Sequence, residues 1–300
     1  MLLIRSPATR ALAFLALLAG PASAAECDAL FADGRRPDLV NPKLARATTP
    51  LCYDAFALLY SGLSRTPLYA AEHLTRASVA AARTVDRVDA FHDEDALPEA
   101  DRSRLDDYVH SGFDRGHMAP AGDMPTGAAQ AQSFTLANMV PQDRAVNRGL
   151  WAAIEESVRR LASARQTLFV VTGPIYDGAS AQAINGRVLV PTQLFKAVYD
   201  PARGEAGAYL VPNRDGADWR SVSLAELRGL SGLDVFPGLP ESIKGRAMSL
   251  PEPRTYARGD EAGTSSRGRH RDPESFDAWA KDQLYRLARR LWRDLMRAIF

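Results

Sequence analysis

The sequence predicts an α+β fold, with a mixed or antiparallel central sheet and flanking helices. Three observations carry this. Short apolar runs suited to strands recur through the first 210 residues or so, such as Thr167 to Thr172 (Thr-Leu-Phe-Val-Val-Thr). Helical periodicity appears separately, with Trp151, Ile154, Val158 and Leu161 on one face. Strands and helices are mixed without the regular alternation that builds a parallel sheet.

The first 24 residues stand apart from the fold. Arg5 and Arg10 precede the apolar run Ala11 to Ala19, and Ala22-Ser23-Ala24 offers small residues for cleavage before Ala25. This is the pattern of a secretory signal peptide, and the run is too short for a good membrane span. The chain is therefore expected to be exported, to a periplasm or to the medium. Cys27 and Cys52, the two cysteines of the chain, both follow the cleavage site and read as one disulfide. No second cysteine or suitably spaced histidine completes a zinc site.

Residues 25–50 read as an extended arm. Tyr53 to Ser61 and Leu68 to Leu74 read as a hairpin broken at Ser64-Arg65-Thr66-Pro67. Arg83 to Asp107 is polar and reads as loop, with Phe91 and Leu97 as packing anchors. Ser133 to Ala137 reads as a short strand ending at Asn138, and a helix is expected from about Val146. Thr167 to Thr172 reads as a central strand ended by Gly173-Pro174. Further strands are expected at 188–190, 193–199 and 208–211, and a helix at 222–230. A main domain therefore spans 25–250. Pro251 to Pro273 reads as a linker. Residues 274–300 read as a tail helix with Trp279, Leu284, Leu287, Leu291 and Leu295 near one face. From Arg267 to Phe300 there are nine Lys or Arg and five Asp or Glu, a net charge of +4. Such a basic amphipathic helix is expected to dock on its own domain, pair with a second copy as a homodimer, or touch an anionic surface.

The net charge of the whole chain is only +1, so any anion-binding site has to be a local basic groove. The candidate lies at Asp114-Arg115-Gly116-His117. An imidazole there can take a proton near neutral pH, and a guanidinium can hold a phosphate by two parallel bonds. Gly116 has no Cβ and permits close approach of a substrate. Downstream come Asn138-Met139-Val140-Pro141-Gln142, then Asn147-Arg148-Gly149-Leu150-Trp151, then Glu155.

Taken together these residues resemble the DNA/RNA non-specific endonuclease family, the sugar-nonspecific nucleases with a ββα-metal active site. The resemblance covers roughly Cys27 to Pro240. It implies metal-dependent hydrolysis of phosphodiester bonds in DNA and RNA, leaving 5′-phosphate ends. It implies His117 as general base and Asn147 as the direct ligand of Mg2+ or Mn2+. Arg115 is the implied phosphate-binding arginine, Asp114 orients its neighbours, and Asn138 orients the base or the phosphate. Arg87, four residues before Phe91, is the candidate for a further substrate-facing arginine, with Arg83 as its rival. Lys196, Arg144 and Arg148 are candidates for the nucleic-acid groove. Trp151 lies on the apolar stripe and is expected in the core.

Glu155 is placed by geometry. On a regular α-helix the eight residues from Asn147 put the two Cα atoms roughly 12 Å apart along the axis and about 80° apart around it. Two such side chains cannot easily share one ion, so Glu155 is expected to reach the metal through a water. Two alternatives are a narrower phosphodiesterase on the same scaffold and a non-catalytic nucleic-acid-binding surface protein. The set His117, Asn147 and Glu155 argues against the second, because binding alone needs no base and no metal.

Overall fold

A computed structural model describes residues 27–176 and 182–254. The signal segment, most of the linker and the tail helix lie outside the described residues. The strands are β1 (Asp38–Leu39), β2 (Thr48–Cys52), β3 (Phe56–Ser61), β4 (Thr66–Thr75), β5 (Asp114–His117), β6 (Met139–Gln142) and β7 (Thr167–Ile175). Then follow β8 (Gln182–Ile184), β9 (Val188–Val190), β10 (Gln193–Asp200), β11 (Glu205–Pro212), β12 (Arg220–Val222) and β13 (Leu233–Asp234). The longer helices are α1 (Arg76–Ala82), α2 (Gly127–Ser133), α3 (Ala152–Arg165) and α4 (Leu224–Ser231).

Seven strands form one sheet in the order β12-β11-β10-β7-β4-β3-β2, and every neighbouring pair in it is antiparallel. The fold is α+β, as the sequence predicts. The central strand β7 is buried on both faces, which explains its continuous apolar run. It does not stop at Gly173-Pro174. A Cβ on Gly173 would sit 2.6 Å from the Leu68 carbonyl oxygen and 2.8 Å from the Phe195 ring, so this glycine serves close packing inside the sheet rather than a turn.

Alternation along the strands gives the sheet two different faces. One carries Phe56, Leu58, Leu74, Leu168, Val170 and Val198 against Trp151, Ile154, Val158 and Leu161 of the long helix. The other carries Ala57, Ala71, Val171, Phe195 and Ala197 against Leu30, Phe31, Leu227 and Phe236. A third, smaller cluster of Tyr108, Leu136, Met139, Ile184 and Val188 backs the β5–β6 hairpin. That hairpin is separate from the main sheet.

Two sequence expectations are corrected, and one helix is added that they did not cover. Residues 27–52 are not merely an extended arm. They hold short helical turns, with Asn41 capping one of them, and β2 at the sheet edge. A helix, α1, precedes the polar loop, fixed by a reciprocal cap between Thr75 and Ser78. The strand expected at Ser133 to Ala137 lies instead at Met139–Gln142. Pro141 reads as a strand breaker, but a two-stranded ribbon has free edges where proline is tolerated.

Cys27 and Cys52 form the disulfide, with Cα atoms 5.9 Å apart and a sequence separation of 25. It ties the N-terminal turns to β2. Replacing both cysteines by serine is expected to lower unfolding free energy by about 3 kcal/mol in urea titration of the folded protein. Unchanged stability would show that the bridge constrains nothing.

Candidate active site

The site is the β5–β6 hairpin together with the helix that follows it. Strand register sets Asp114 opposite Gln142, Gly116 opposite Val140 and His117 opposite Met139. Gly116 is required by its partner strand rather than by a substrate: a Cβ there would lie 2.6 Å from Gln142 Cβ and would strike its side-chain amide. The Gln142 side chain is fully buried, and neither end of its amide has a hydrogen-bond partner among the described residues. The Asn-x-x-Pro-Gln motif contained Gln142, but its position over Gly116 depends on a cross-strand pairing that spacing does not reveal.

Asn138 is fully buried and grips backbone only. Its Oδ1 accepts from Ala119 N at 2.9 Å, and its Nδ2 donates to the carbonyls of Ala119 at 2.8 Å and Ser133 at 2.9 Å. It therefore acts on the chain just after His117, not on the imidazole itself.

His117 sits in an aromatic box. Phe134 meets its ring edge-on at 4.9 Å between centroids, and Phe91 lies at 5.7 Å. Two cations stand over these rings, Arg87 over Phe134 at 5.3 Å and Arg115 over Phe91 at 4.3 Å. Burial, then the charges of Arg87 and Arg115, lower the imidazole pKa to about 3. His117 is thus neutral at physiological pH. Its Nε2 is sealed, with no partner among the described residues. Phe134 is a site residue that sequence reasoning missed, since nothing in its spacing marks it.

The rival arginines separate. Arg83 pairs with Glu156 on the outer side of the long helix at 3.4 Å. Arg87 pairs with Asp89 at 2.7 Å, yet its charge is felt by both His117 and Glu155. The geometry places Arg87, not Arg83, beside the candidate base.

Asp114 joins hairpin to helix. It accepts from Asn147 Nδ2 at 3.0 Å, from Arg148 Nε at 2.8 Å and from Arg144 Nε at 3.3 Å. Burial raises its carboxyl pKa, but the hydrogen bonds from Arg148 and Asn147 and the nearby guanidinium charges outweigh this and hold it below the usual range. The bond from Nδ2 fixes the Asn147 amide, so that Oδ1 points away from Asp114. Among the described residues Oδ1 accepts no hydrogen bond.

The helix is not regular at this point. Asp143 caps an α-turn at Arg144–Val146, and a π-turn at Asn147–Trp151 then leads into α3. A π-turn takes up one extra residue. The eight residues from Asn147 to Glu155 therefore advance about as far as seven α-helical ones, roughly 700°. The expected 80° offset is corrected to about 20°, and the axial gap to about 10 Å. Both side chains lie on one face, still too far apart along the axis to share an ion directly.

Glu155 has no hydrogen-bond or ion-pair partner among the described residues. Burial raises its carboxyl pKa to about 7 against the pull of Lys196 and Arg159, and Asp123 adds to the rise. Lys196 does not line a nucleic-acid groove. It is 1% exposed, beneath Trp151. Trp151 is itself buried in the core, as its place on the apolar stripe predicts.

An oxygen-seeking divalent ion fits this arrangement. The helix offers a neutral amide oxygen at Asn147 and, about two turns further along the same face, the carboxyl of Glu155, both of them oxygen donors. Among the described residues no three His, Cys, Asp or Glu side chains converge on one point, so the donor set suits an ion that keeps most of its waters.

Fold and site together define a nuclease with a ββα-metal motif. A comparison with family profiles matches DNA/RNA non-specific endonuclease over residues 38–242, and the chain belongs to that family, whose members are metal-dependent. Nuclease C1 of Cunninghamella echinulata var. echinulata is 34% identical over 213 residues, 64% of this chain and 84% of the relative. Mitochondrial endonuclease G of Caenorhabditis elegans is 34% identical over 213 residues, 64% of this chain and 69% of the relative. Mitochondrial nuclease EXOG of Danio rerio is 34% identical over 208 residues, and that match spans only 60% of the relative's length. Among solved structures, a chain of the EndoG/EndoGI complex superposes with TM-score 0.57 at 27% identity, covering 65% of this chain and 88% of that one.

Deleting Gly149, which has open space around it, removes the extra residue of the π-turn. Asn147 is then expected to swing by about 100° relative to Glu155. Manganese titration should show lost ion binding, with helix content by circular dichroism retained. Undiminished binding would show that the π-turn does not set the site.

Proposed function

We propose that this chain is an exported endonuclease that hydrolyses phosphodiester bonds of DNA and RNA without sequence specificity, leaving 5′-phosphate ends. Magnesium, or manganese in its place, is held by Asn147 Oδ1 and, through a water, by Glu155. The observation that supports this reading is the bond from Asn147 Nδ2 to Asp114, which ties the amide to the strand that ends in a neutral histidine and leaves Oδ1 as its unbonded end.

When bound, the ion neutralises charge developing on the phosphate and on the departing 3′ oxygen. The chain's own residues supply the rest. His117 takes the proton of the attacking water on Nδ1, because Nε2 is sealed. A substrate phosphate lying against Arg87 and Arg115 offsets the two charges that depress the imidazole, and so makes it a better base as the substrate binds. Arg115 has Phe91 as its stacking partner and holds the phosphate. Arg144 and Arg148, exposed on the first turns of the helix, extend the basic rim. Contacts of this kind read backbone, not bases, and so favour cleavage without sequence preference.

Export is supported by the N-terminal charge and apolar pattern and by the disulfide. Among the described residues no helix is long and apolar enough to cross a membrane. The relatives include mitochondrial nucleases, so fractionation of the producing cells is the test of location.

Purified mature protein should degrade plasmid, single-stranded DNA and RNA with magnesium and not with EDTA. His117→Ala should slow turnover by about 10² to 10⁴ with the fold retained. Asn147→Ala should raise the magnesium requirement more than Glu155→Gln does. Near-normal turnover by His117→Ala at saturating magnesium would remove His117 from the base role, and activity on one nucleic acid alone would favour the narrower phosphodiesterase.

A further inference from the structure

One asparagine on the main sheet holds the link between the hairpin and the helix that carries Asn147. Asn213 follows β11, just beyond the register pair of Gln193 with Pro212, and its backbone N donates to the Thr192 carbonyl at 2.9 Å. Its side chain reaches three segments. Oδ1 accepts from the backbone N of Asp143 at 2.8 Å, and Nδ2 donates to the carbonyls of Pro141 at 3.0 Å and Pro191 at 2.9 Å. Pro141 lies on β6, Asp143 caps the helix, and Pro191 lies between β9 and β10. The amide thus uses both donors and its acceptor at once. A carboxylate in its place has no donor for the two carbonyls.

The link is short, and both ends of the Asp114–Asn147 bond hang on it. Asp114 lies opposite Gln142, the residue between Pro141 and Asp143. On the helix side the Asp143 carbonyl accepts from the backbone N of Asn147 at 2.8 Å. The Asp143 carboxylate caps Ala145 N at 2.9 Å and Val146 N at 3.1 Å. The bond from Asn147 to Asp114 at 3.0 Å therefore closes a ring through Gln142 and Asp143. The β5–β6 hairpin is not paired with the main sheet, so no strand ladder fixes where the link sits. Asn213 grips the link on both sides of Gln142 and ties it to the end of β11.

We propose that Asn213 is a positioning residue for Asn147: by holding Pro141 and Asp143 it sets the start of the helix against the hairpin, and so keeps the Asn147 amide bonded to Asp114 with Oδ1 as its free end. The inference rests on the metal-dependent reading given above. Without the Asn213 side chain, the Asp143 N–H and the Pro141 carbonyl lose their partner, and the link is released from the sheet. A displacement of roughly 1 Å is then enough to break the bond from Asn147 to Asp114 and free the amide to turn.

The test uses the full mature chain without substrate. Manganese binding is read from the electron paramagnetic resonance signal of free Mn2+, with wild type and Asn147→Ala as references, and amide hydrogen exchange is followed by NMR in the metal-free protein. Asn213→Asp, which keeps the shape and loses both donors, and Asn213→Ala are each expected to weaken binding about tenfold or more, the range for loss of a supporting residue. In Asn213→Ala the amides of Asp143 and Asn147 should also exchange faster, while those of β7 keep their protection. Val171→Ala, a cavity variant on the other face of the sheet, should lower the melting temperature and leave affinity unchanged. A merely structural Asn213 would behave like Val171. Unchanged affinity in the folded Asn213 variants, or a loss in Val171→Ala as large as theirs, overturns the proposal. If neither Asn213 variant folds, the wild type decides: its Asp143 and Asn147 amides must be protected without metal, and exchange of Asp143 at the rate of an unfolded peptide overturns the proposal. Wild type that binds no manganese, like Asn147→Ala, overturns the metal reading itself and this proposal with it.

Discussion

The site depends on one carboxylate. Asp114 sits at the start of β5 and accepts hydrogen bonds from Asn147, Arg148 and Arg144 on the first turns of the helix. It is the polar tie between the strand that carries His117 and the helix that carries Asn147. Its effect is orientation. An asparagine amide can present either end, and a donor bond to a carboxylate selects Nδ2 for Asp114 and leaves Oδ1 as the free acceptor end. Stability from such partly exposed pairs is modest, so the value of Asp114 lies in aiming its neighbours.

Around that tie the molecule separates two electrostatic tasks. On one side His117 is kept neutral by burial and by Arg87 and Arg115, each of which also lies over an aromatic ring that touches the imidazole. On the sheet side Asp123 pairs with Arg159 at 2.7 Å, and burial pushes the carboxyls of Glu72 and Glu155 upward against the pull of Lys196 and Arg159. The aromatic rings Phe91 and Phe134 touch both the arginines and the imidazole. They place both cations close to His117 without hydrogen-bonding to it. The apolar stripe Trp151, Ile154, Val158 and Leu161 then anchors the helix, so that its polar face stays in register with the hairpin.

Much of this was legible in the sequence. The apolar run at 167–172 marked the central strand, and the period of the stripe marked the helix. The residues of Asp114-Arg115-Gly116-His117, Asn147 and Glu155 announced their chemistry by type and order. What stayed hidden depends on contacts between distant strands or on local departures from regular geometry. Gly116 looked like a place for substrate because its cross-strand neighbour Gln142 cannot be read from spacing. Lys196 looked like a surface cation because single-strand alternation does not say which face a helix will cover. The π-turn left no mark, since one extra residue in a helix resembles ordinary helical sequence. It changes the expected angular relation of Asn147 and Glu155 and shortens their expected axial separation only slightly.

The central claim is that Asn147 alone among the side chains touches the ion and Glu155 acts through a water. A crystal structure of the mature protein with magnesium measures this directly. The account predicts an ion about 2.1 Å from Asn147 Oδ1, with the Glu155 carboxylate bonded to a coordinated water and His117 outside the coordination sphere. An ion bound directly by Glu155, or one seated away from Asn147, would contradict it.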